Sequence, residues 1–183
     1  MIIGLIGKKQ SGKDTFAQIL IDHYGFRKRA FADPLKEACA LLFQLHPDQL
    51  HDPVQKETVD PRWGKTPREI MQIVGTDLFR NHYDQHFWLK LFTYWCHAQD
   101  SNVNIICTDI RFANEAQLIR SMKGGGGILI KITRPTVQYE DQHESEKIEG
   151  IMDTADFEII NDSTLTAYQQ KIQDLCSLLF GHG

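Results

Sequence analysis

The chain opens on five apolar positions, Ile2 to Ile6, bounded by Gly7, and this run predicts a short buried strand. A stretch rich in glycine, lysine and serine follows, and then Phe16, Ile19 and Leu20 at helical spacing. Residues 26–32 end in Ala30, Phe31 and Ala32 and predict a second strand. Asp33-Pro34 opens a helix carrying Leu35, Ala38, Leu41 and Leu42. Proline suits the first helical turn, where its missing N–H would have no partner. Residues 45–65, with Pro47, Pro53, Pro61 and Gly64, predict a polar surface excursion. Thr66-Pro67-Arg68-Glu69 has the pattern of a capping box, so a helix starts there. A further helix is expected from about Asp84 to His97, a strand over 103–108 and a helix from about Phe112 to Met122. Gly124 to Gly127 predict a turn, 128–133 a strand and 156–160 a last strand, after a polar, acidic stretch at 134–152. Asp162 or Ser163 is expected to cap a final helix with Leu165, Tyr168, Ile172, Leu175 and Leu179 on its apolar side. Strand and helix in alternation, with about five strands, give an α/β fold: a parallel sheet covered by helices on both faces. In such folds ligands sit at the carboxyl ends of the strands.

Composition narrows the classes. A chain of 183 residues predicts one domain. Its 20 Lys and Arg against 24 Asp and Glu leave a formal charge of −4, so no broad nucleic-acid surface is expected. No run approaches about 18 apolar residues, which predicts no membrane span. The N-terminus lacks the basic leader of a signal peptide. Cys39, Cys96, Cys107 and Cys176 are widely spaced, with no CxxC pair. They read as buried small apolar residues of a chain kept in a reducing, cytoplasmic compartment.

The strongest chemical signal is Gly7-Lys8-Lys9-Gln10-Ser11-Gly12-Lys13-Asp14-Thr15, between the first strand and the first helix. Glycines let the backbone curl so that several N–H groups face one anion, and the helix N-terminus adds its positive end. Gly7, Lys9, Ser11, Gly12, Lys13, Asp14 and Thr15 are therefore candidate nucleotide-phosphate ligands, with Lys13 a mobile charge for the β- and γ-phosphates. Asp14 stands where the strict pattern has the serine or threonine that ligates magnesium, and Thr15 follows one residue later. Asp14 is either a metal ligand or an acid favoured at a helix N-terminus. Asp109, after the strand 103–108, is placed to steady magnesium, and Arg111 in the same turn to reach a phosphate. On the helix from Thr66, Arg68, Gln72, Thr76 and Arg80 recur every four residues, with Ile70, Val74 and Leu78 nearly opposite. The polar set is expected to face outward, to solvent or a cleft, with Arg80 the preferred ligand of an acceptor phosphate. His82 and His86 lack the context of a zinc site.

Further segments complete a resemblance. Ala32-Asp33-Pro34-Leu35-Lys36, the run from Gln72 to Asp77 followed by Arg80 and Trp88, and the run from Thr108 to Glu115 occur in that order. Ile132-Thr133-Arg134-Pro135, His143-Glu144-Ser145-Glu146 and Ile160-Asn161-Asp162 complete the series. It resembles the phage-type deoxynucleoside monophosphate kinases over nearly the whole chain. The resemblance implies a P-loop kinase three-layer sandwich and transfer of the γ-phosphoryl of ATP to a deoxynucleoside 5′-monophosphate with Mg²⁺. It implies an acceptor-binding insertion at about 45–100 and a lid at about 134–152. Asp33, Lys36, Gln72, Thr76, Arg80, Trp88 and Arg111 would line the acceptor side, and Asn161 would fall near the adenine. Lys13, Arg80, Asp109, Arg111 and Arg134 would form the catalytic set, with Asp14, Thr15 and Asp109 toward the metal. The lid is acidic, so the arginines come from 80, 111 and 134, and His143 and Glu146 are either lid-closing contacts or, the preferred reading, solvated polar residues. The implied partners are two small molecules and, in some arrangements, a second copy of the chain. For a phage-encoded enzyme the compartment is the host cytoplasm.

Three other readings stay open: an animal-type phosphomevalonate kinase, another small-molecule P-loop kinase such as dephospho-coenzyme A kinase, and a non-catalytic nucleotide switch. The Gly75-Thr76-Asp77…Arg80 block favours a nucleotide acceptor. Base preference is open, since Phe31, Trp63, Tyr83 and Trp88 each suit a base or a core.

Overall fold

The computed structural model describes residues 1–136 and 148–181. In chain order the elements are β1 (Ile2–Ile6), α1 (Lys13–Tyr24), β2 (Arg27–Lys28), α2 (Asp33–Phe43), α3 (Pro47–His51) and α4 (Pro67–Gln72). A π-helix (Ile73–Tyr83), α5 (Phe87–His97), β3 (Ile105–Cys107), α6 (Ala113–Gly125) and β4 (Gly127–Thr133) follow. The chain ends with α7 (Glu149–Met152), β5 (Phe157–Ile160) and α8 (Leu165–Phe180). They divide into two compact units: one of residues 1–29, 99–136 and 148–181, the other of residues 30–98.

The first unit is a five-stranded sheet in the order β2-β3-β1-β4-β5, with every pairing parallel. Ile2 pairs with Ile105 on one side and Gly127 on the other, so the N-terminal strand is central. Alternation sends Ile3 and Leu5 to one face, where they pack with Phe16 and Leu20 of α1 and Tyr168, Ile172 and Cys176 of α8. Gly4 faces the other way, under Ile119 of α6. The sheet is thus covered on both faces, as the alternation of elements predicts. Strand order reverses at β1, the position in such sheets where a ligand crevice forms.

The second unit packs Leu35 and Cys39 of α2 against Ile70, Val74 and Trp88, with Leu45 and Leu50 closing the cluster. The excursion at 45–65 is more ordered than its polar composition suggests. His46 and Gln49 form a reciprocal cap on α3, and a 3₁₀ turn spans Gln55–Glu57. Asp60 is buried and held by Arg62 and Gln49.

Several boundaries differ from expectation for physical reasons. The strand at 26–32 shrinks to Arg27–Lys28, because the chain leaves the sheet after the N–H of Arg29 bonds the Ile106 carbonyl at 3.0 Å. Phe31 then packs on Phe92 instead, with ring centroids 4.4 Å apart. Leu41 and Leu42 are exposed, and Leu35 and Cys39 carry the buried face of α2. The turn at Gly124–Gly127 is nearly absent: α6 runs to Gly125 and β4 begins at Gly127. Gly127 lies so close to Ile119 that a Cβ there would overlap its carbonyl oxygen. Thr164, not Asp162 or Ser163, caps α8 by accepting the N–H of Ala167, while Asp162 takes Lys171 Nζ at 2.8 Å. Leu165 is exposed, and Tyr168, Ile172 and Cys176 carry the buried stripe.

The main departure lies in the helix from Thr66. Its capping box forms as predicted, but from Ile73 the backbone winds as a π-helix, closing with the Asp84 N–H on the Phe79 carbonyl at 2.8 Å. The wider ring of an i→i+5 bond shifts every later side chain around the axis. Thr76 is therefore 6 % exposed and Leu78 51 % exposed, the reverse of the four-residue spacing. The segment is pinned where Trp88 Nε1 donates to the Gly75 carbonyl at 2.7 Å and where Phe79 stacks on Phe87.

Candidate functional site

The loop between β1 and α1 leaves the central strand at the carboxyl edge of the sheet. Gln10 (φ 62°) and Gly12 (φ 114°) both adopt left-handed backbone conformations, which curl the chain into a concavity before the helix starts. Gly12 needs its missing side chain twice over. Its φ disfavours any other residue, and a Cβ there would lie 2.8 Å from Asn161 Nδ2 and 2.9 Å from the Tyr168 hydroxyl. A Cβ on Gly7 would lie 2.5 Å from the Ile132 carbonyl oxygen. Lys13 crosses the loop, its Nζ donating to the carbonyls of Gly7 at 2.6 Å and Lys8 at 2.7 Å. The Ser11 side chain is buried inside the turn, and its Oγ has no hydrogen-bond partner among the described residues.

Three carbonyls of the loop receive donors from later in the chain. Arg134 Nη1 lies 3.5 Å from the Gln10 oxygen, Asn161 Nδ2 donates to Ser11 at 3.0 Å, and the Tyr168 hydroxyl donates to Gly12 at 3.1 Å. Asp14 points outward, its side chain 90 % exposed and paired with Lys28 at 3.0 Å. Thr15 is half-buried in the first turn of α1.

At the end of β3, Asp109 is half-buried, with the Cys107 thiol 3.4 Å from its Oδ1. Burial and the Asp109 carboxylate push the Cys107 thiol well above its ordinary pKa, so it stays protonated and can donate. The backbone of the turn is fixed by Glu115, a buried residue whose Oε2 accepts the N–H of Arg111 at 2.8 Å and of Phe112 at 3.1 Å.

Among the residues of the second unit, Asp33 Oδ2 accepts the Ala30 N–H at 2.7 Å, and Lys36 lies 3.9 Å from its other oxygen. Gln72 and Arg80 are half-buried, and Arg80 Nη1 approaches the Gln85 carbonyl at 3.4 Å. Arg68 is paired with Glu57 at 2.6 Å. Of the aromatic residues considered for a base, Phe31 and Trp88 are buried, Trp63 packs edge-on against Phe43, and Tyr83 is exposed. All four cysteines are buried thiols, as expected.

The first unit thus brings together Gly7, Ser11, Gly12, Lys13, Arg134 and Asn161 around the loop. Asp109 and Arg111 share the turn after β3. His143 and Glu146, and residues 137–147 of the expected lid, lie outside the described residues. Two residues escaped the sequence reading: Tyr168, whose helical spacing signals only core, and Glu115, whose one signal is an acid in the first turn of α6. Among the described residues no three His, Cys, Asp or Glu side chains converge on a metal position, and no helix is long and apolar enough to cross a membrane.

The model of the family described as deoxynucleotide monophosphate kinase matches residues 1–62 and 46–172. A protein of Acanthamoeba polyphaga mimivirus is 39 % identical over 184 residues, covering 94 % of each chain. The deoxynucleotide monophosphate kinase of Enterobacteria phage T4 is 25 % identical over 245 residues, covering 97 % of this chain and 99 % of its own. Among solved structures, shikimate kinase from Aquifex aeolicus vf5 superposes with a TM-score of 0.55 at 17 % identity, covering all of both chains, which shows a shared P-loop kinase fold. With the loop, the sheet order and the matched sequence in agreement, the chain belongs to the deoxynucleotide monophosphate kinase family.

Proposed function

We propose that this kinase moves the γ-phosphoryl group of ATP to a deoxynucleoside 5′-monophosphate, with Mg²⁺ as the accompanying ion. The observation that carries the reading is the curled loop from Gly7 to Thr15, with Lys13 lying across it. Gly7 and Gly12 lack the side chains that would collide with Ile132 and with Asn161 and Tyr168, so the backbone can take the tight curl that a polyphosphate requires. In this reading Gly7, Lys9, Ser11, Gly12 and Lys13 bind the donor phosphates, and Asn161 borders the loop through its amide on the Ser11 carbonyl. Thr15 and Asp109 would hold the magnesium ion, offering the hard oxygen donors that suit it. Asp14 is the weaker metal candidate, because Lys28 already engages it. The ion, when bound, neutralises charge on the transferring group.

On the acceptor side we assign Asp33, Lys36, Gln72, Thr76, Arg80 and Arg111. Trp88 contributes through the π-helix, since its indole N–H is committed to Gly75. An acceptor phosphate is already anionic near neutral pH, so these residues position and neutralise rather than remove a proton. Arg134 stands where the lid at about 134–152 begins, and closure of such a segment excludes water from the transfer. The insertion at about 45–100 serves as the acceptor-binding part, and the cytoplasm is the compartment that holds both substrates.

The test is a coupled ADP-release assay with Mg-ATP. The acceptor panel is the four common deoxynucleoside monophosphates, their ribose counterparts and phosphomevalonate. Turnover with one or more deoxynucleotides is expected, and it ranks the bases at the same time. Turnover with phosphomevalonate alone would overturn the acceptor assignment. Stoichiometric ATP binding without turnover would favour a switch.

A further inference from the structure

The donors that the C-terminal part of the chain sends to the phosphate loop fall on consecutive carbonyl oxygens. Asn161 Nδ2 holds that of Ser11 and the Tyr168 hydroxyl holds that of Gly12. In a trans peptide the C=O of one residue and the N–H of the next lie in one plane and point in opposite directions. Holding the Ser11 oxygen therefore aims the Gly12 N–H the other way, and holding the Gly12 oxygen does the same for the Lys13 N–H. These are two of the backbone donors that a phosphate loop offers to an anion. The Gly12 oxygen also accepts the Phe16 N–H at 3.1 Å, so the helical bond and the phenol share it.

We infer that Tyr168 and Asn161 are positioning residues of the nucleotide site, clamping two successive peptide planes so that the Gly12 and Lys13 N–H groups stay aimed at the donor phosphates. This rests on the reading of the loop as the ATP site. Tyr168 is buried against the sheet, and its ring packs where a side chain on Gly12 would otherwise lie. Burial also pushes its phenol well above the ordinary value, so it remains a donor throughout the working pH range. Asn161 is itself set by the sheet, because its own N–H bonds the Thr133 carbonyl at 2.7 Å. The clamp thus links the far end of β5 and the second turn of α8 to the loop after β1. A bare loop would have to order its peptide planes on binding; here the cost is met on folding.

Equilibrium binding of ATP and of inorganic tripolyphosphate to the wild type, Tyr168→Phe and Asn161→Ala tests the inference. Tyr168→Phe keeps the ring and its packing and removes only the hydroxyl. It is expected to weaken both ligands alike, about tenfold, with the acceptor KM unchanged. Its thermal midpoint should drop by no more than about 5 °C. Asn161→Ala is expected to weaken tripolyphosphate as much as ATP. Wild-type affinity for both ligands in folded Tyr168→Phe would overturn the clamp. Loss of ATP affinity alone in Asn161→Ala would overturn the part given to Asn161 and return it to the adenine. A wild-type protein that binds neither ligand would remove the phosphate-loop reading, and the clamp with it.

Discussion

Replacing Glu115 with alanine removes a carboxylate oxygen that accepts two successive backbone N–H groups in the turn carrying Asp109 and Arg111. Glu115 is 4 % exposed, and one oxygen takes Arg111 N–H at 2.8 Å and Phe112 N–H at 3.1 Å. A buried donor left without a partner costs about 1–3 kcal/mol. Loss of an acid from the first turn of α6 adds about 0.3–1 kcal/mol. Water entering the vacated space can satisfy one of the two donors, so the net loss is about 3 kcal/mol. For a chain of this length that corresponds to a fall in thermal midpoint of about 6–12 °C. Glu115→Gln retains an oxygen of the same reach and should restore at least half of the loss. Calorimetry measures the midpoints, and steady-state kinetics over a magnesium series measures the chemistry. With the turn released, kcat should drop about tenfold or more, because a displaced charge near the transferring group loses much of its stabilising effect. A Glu115→Ala protein with a midpoint within about 2 °C of wild type and an unaltered kcat would refute the argument.

Lys13→Ala should lower kcat by about 10²–10³-fold while circular dichroism shows an unchanged fold; undiminished turnover would remove the phosphate-loop assignment. Arg80→Ala should raise the acceptor KM by about 10–100-fold and leave the ATP KM within about twofold; an effect confined to ATP would move Arg80 to the donor side. Asp60→Asn probes linkage. The Arg62 guanidinium and the Gln49 amide hold the Asp60 carboxyl well below the usual carboxylate range. A depressed acid stabilises the fold fully above its unfolded pKa of about 4 and loses that contribution only as pH falls toward its folded value. The midpoint gap between wild type and Asp60→Asn should stay flat from about pH 5 to pH 8 and narrow below about pH 4; a gap that widens on acidification would reverse the sign.

The parts of this molecule that could be read from sequence are those written in contiguous residues. The phosphate loop is one such part, because strand, glycines, lysine and helix follow within a few positions. The capping box at Thr66 is another, since both partners lie within four residues. The π-helix left no such trace. Its pinning contact joins Trp88 to the Gly75 carbonyl across the helix boundary, and the same residues satisfy an α-helical pattern equally well. That is why Thr76 and Leu78 exchanged places. The second strand was overread because Ala30 and Phe31 are apolar for a different core, that of the 30–98 unit. Tyr168 was legible as a buried helical position but not as a donor, because its acceptor stands 156 residues earlier.

The sheet ends on one side in a strand of only two residues, Arg27 and Lys28, both exposed and both cationic. This edge bears on how the chain survives its own folding. The central strand is made first, yet its partners at Ile105 and Gly127 emerge only after most of the chain has been synthesised. During that interval an apolar N-terminal strand is open to pairing with neighbouring molecules. Once β3 has docked, the two-residue edge offers an incoming strand almost no ladder to extend. Growth of the sheet into an intermolecular aggregate is then limited on that side by the shortness of the strand itself.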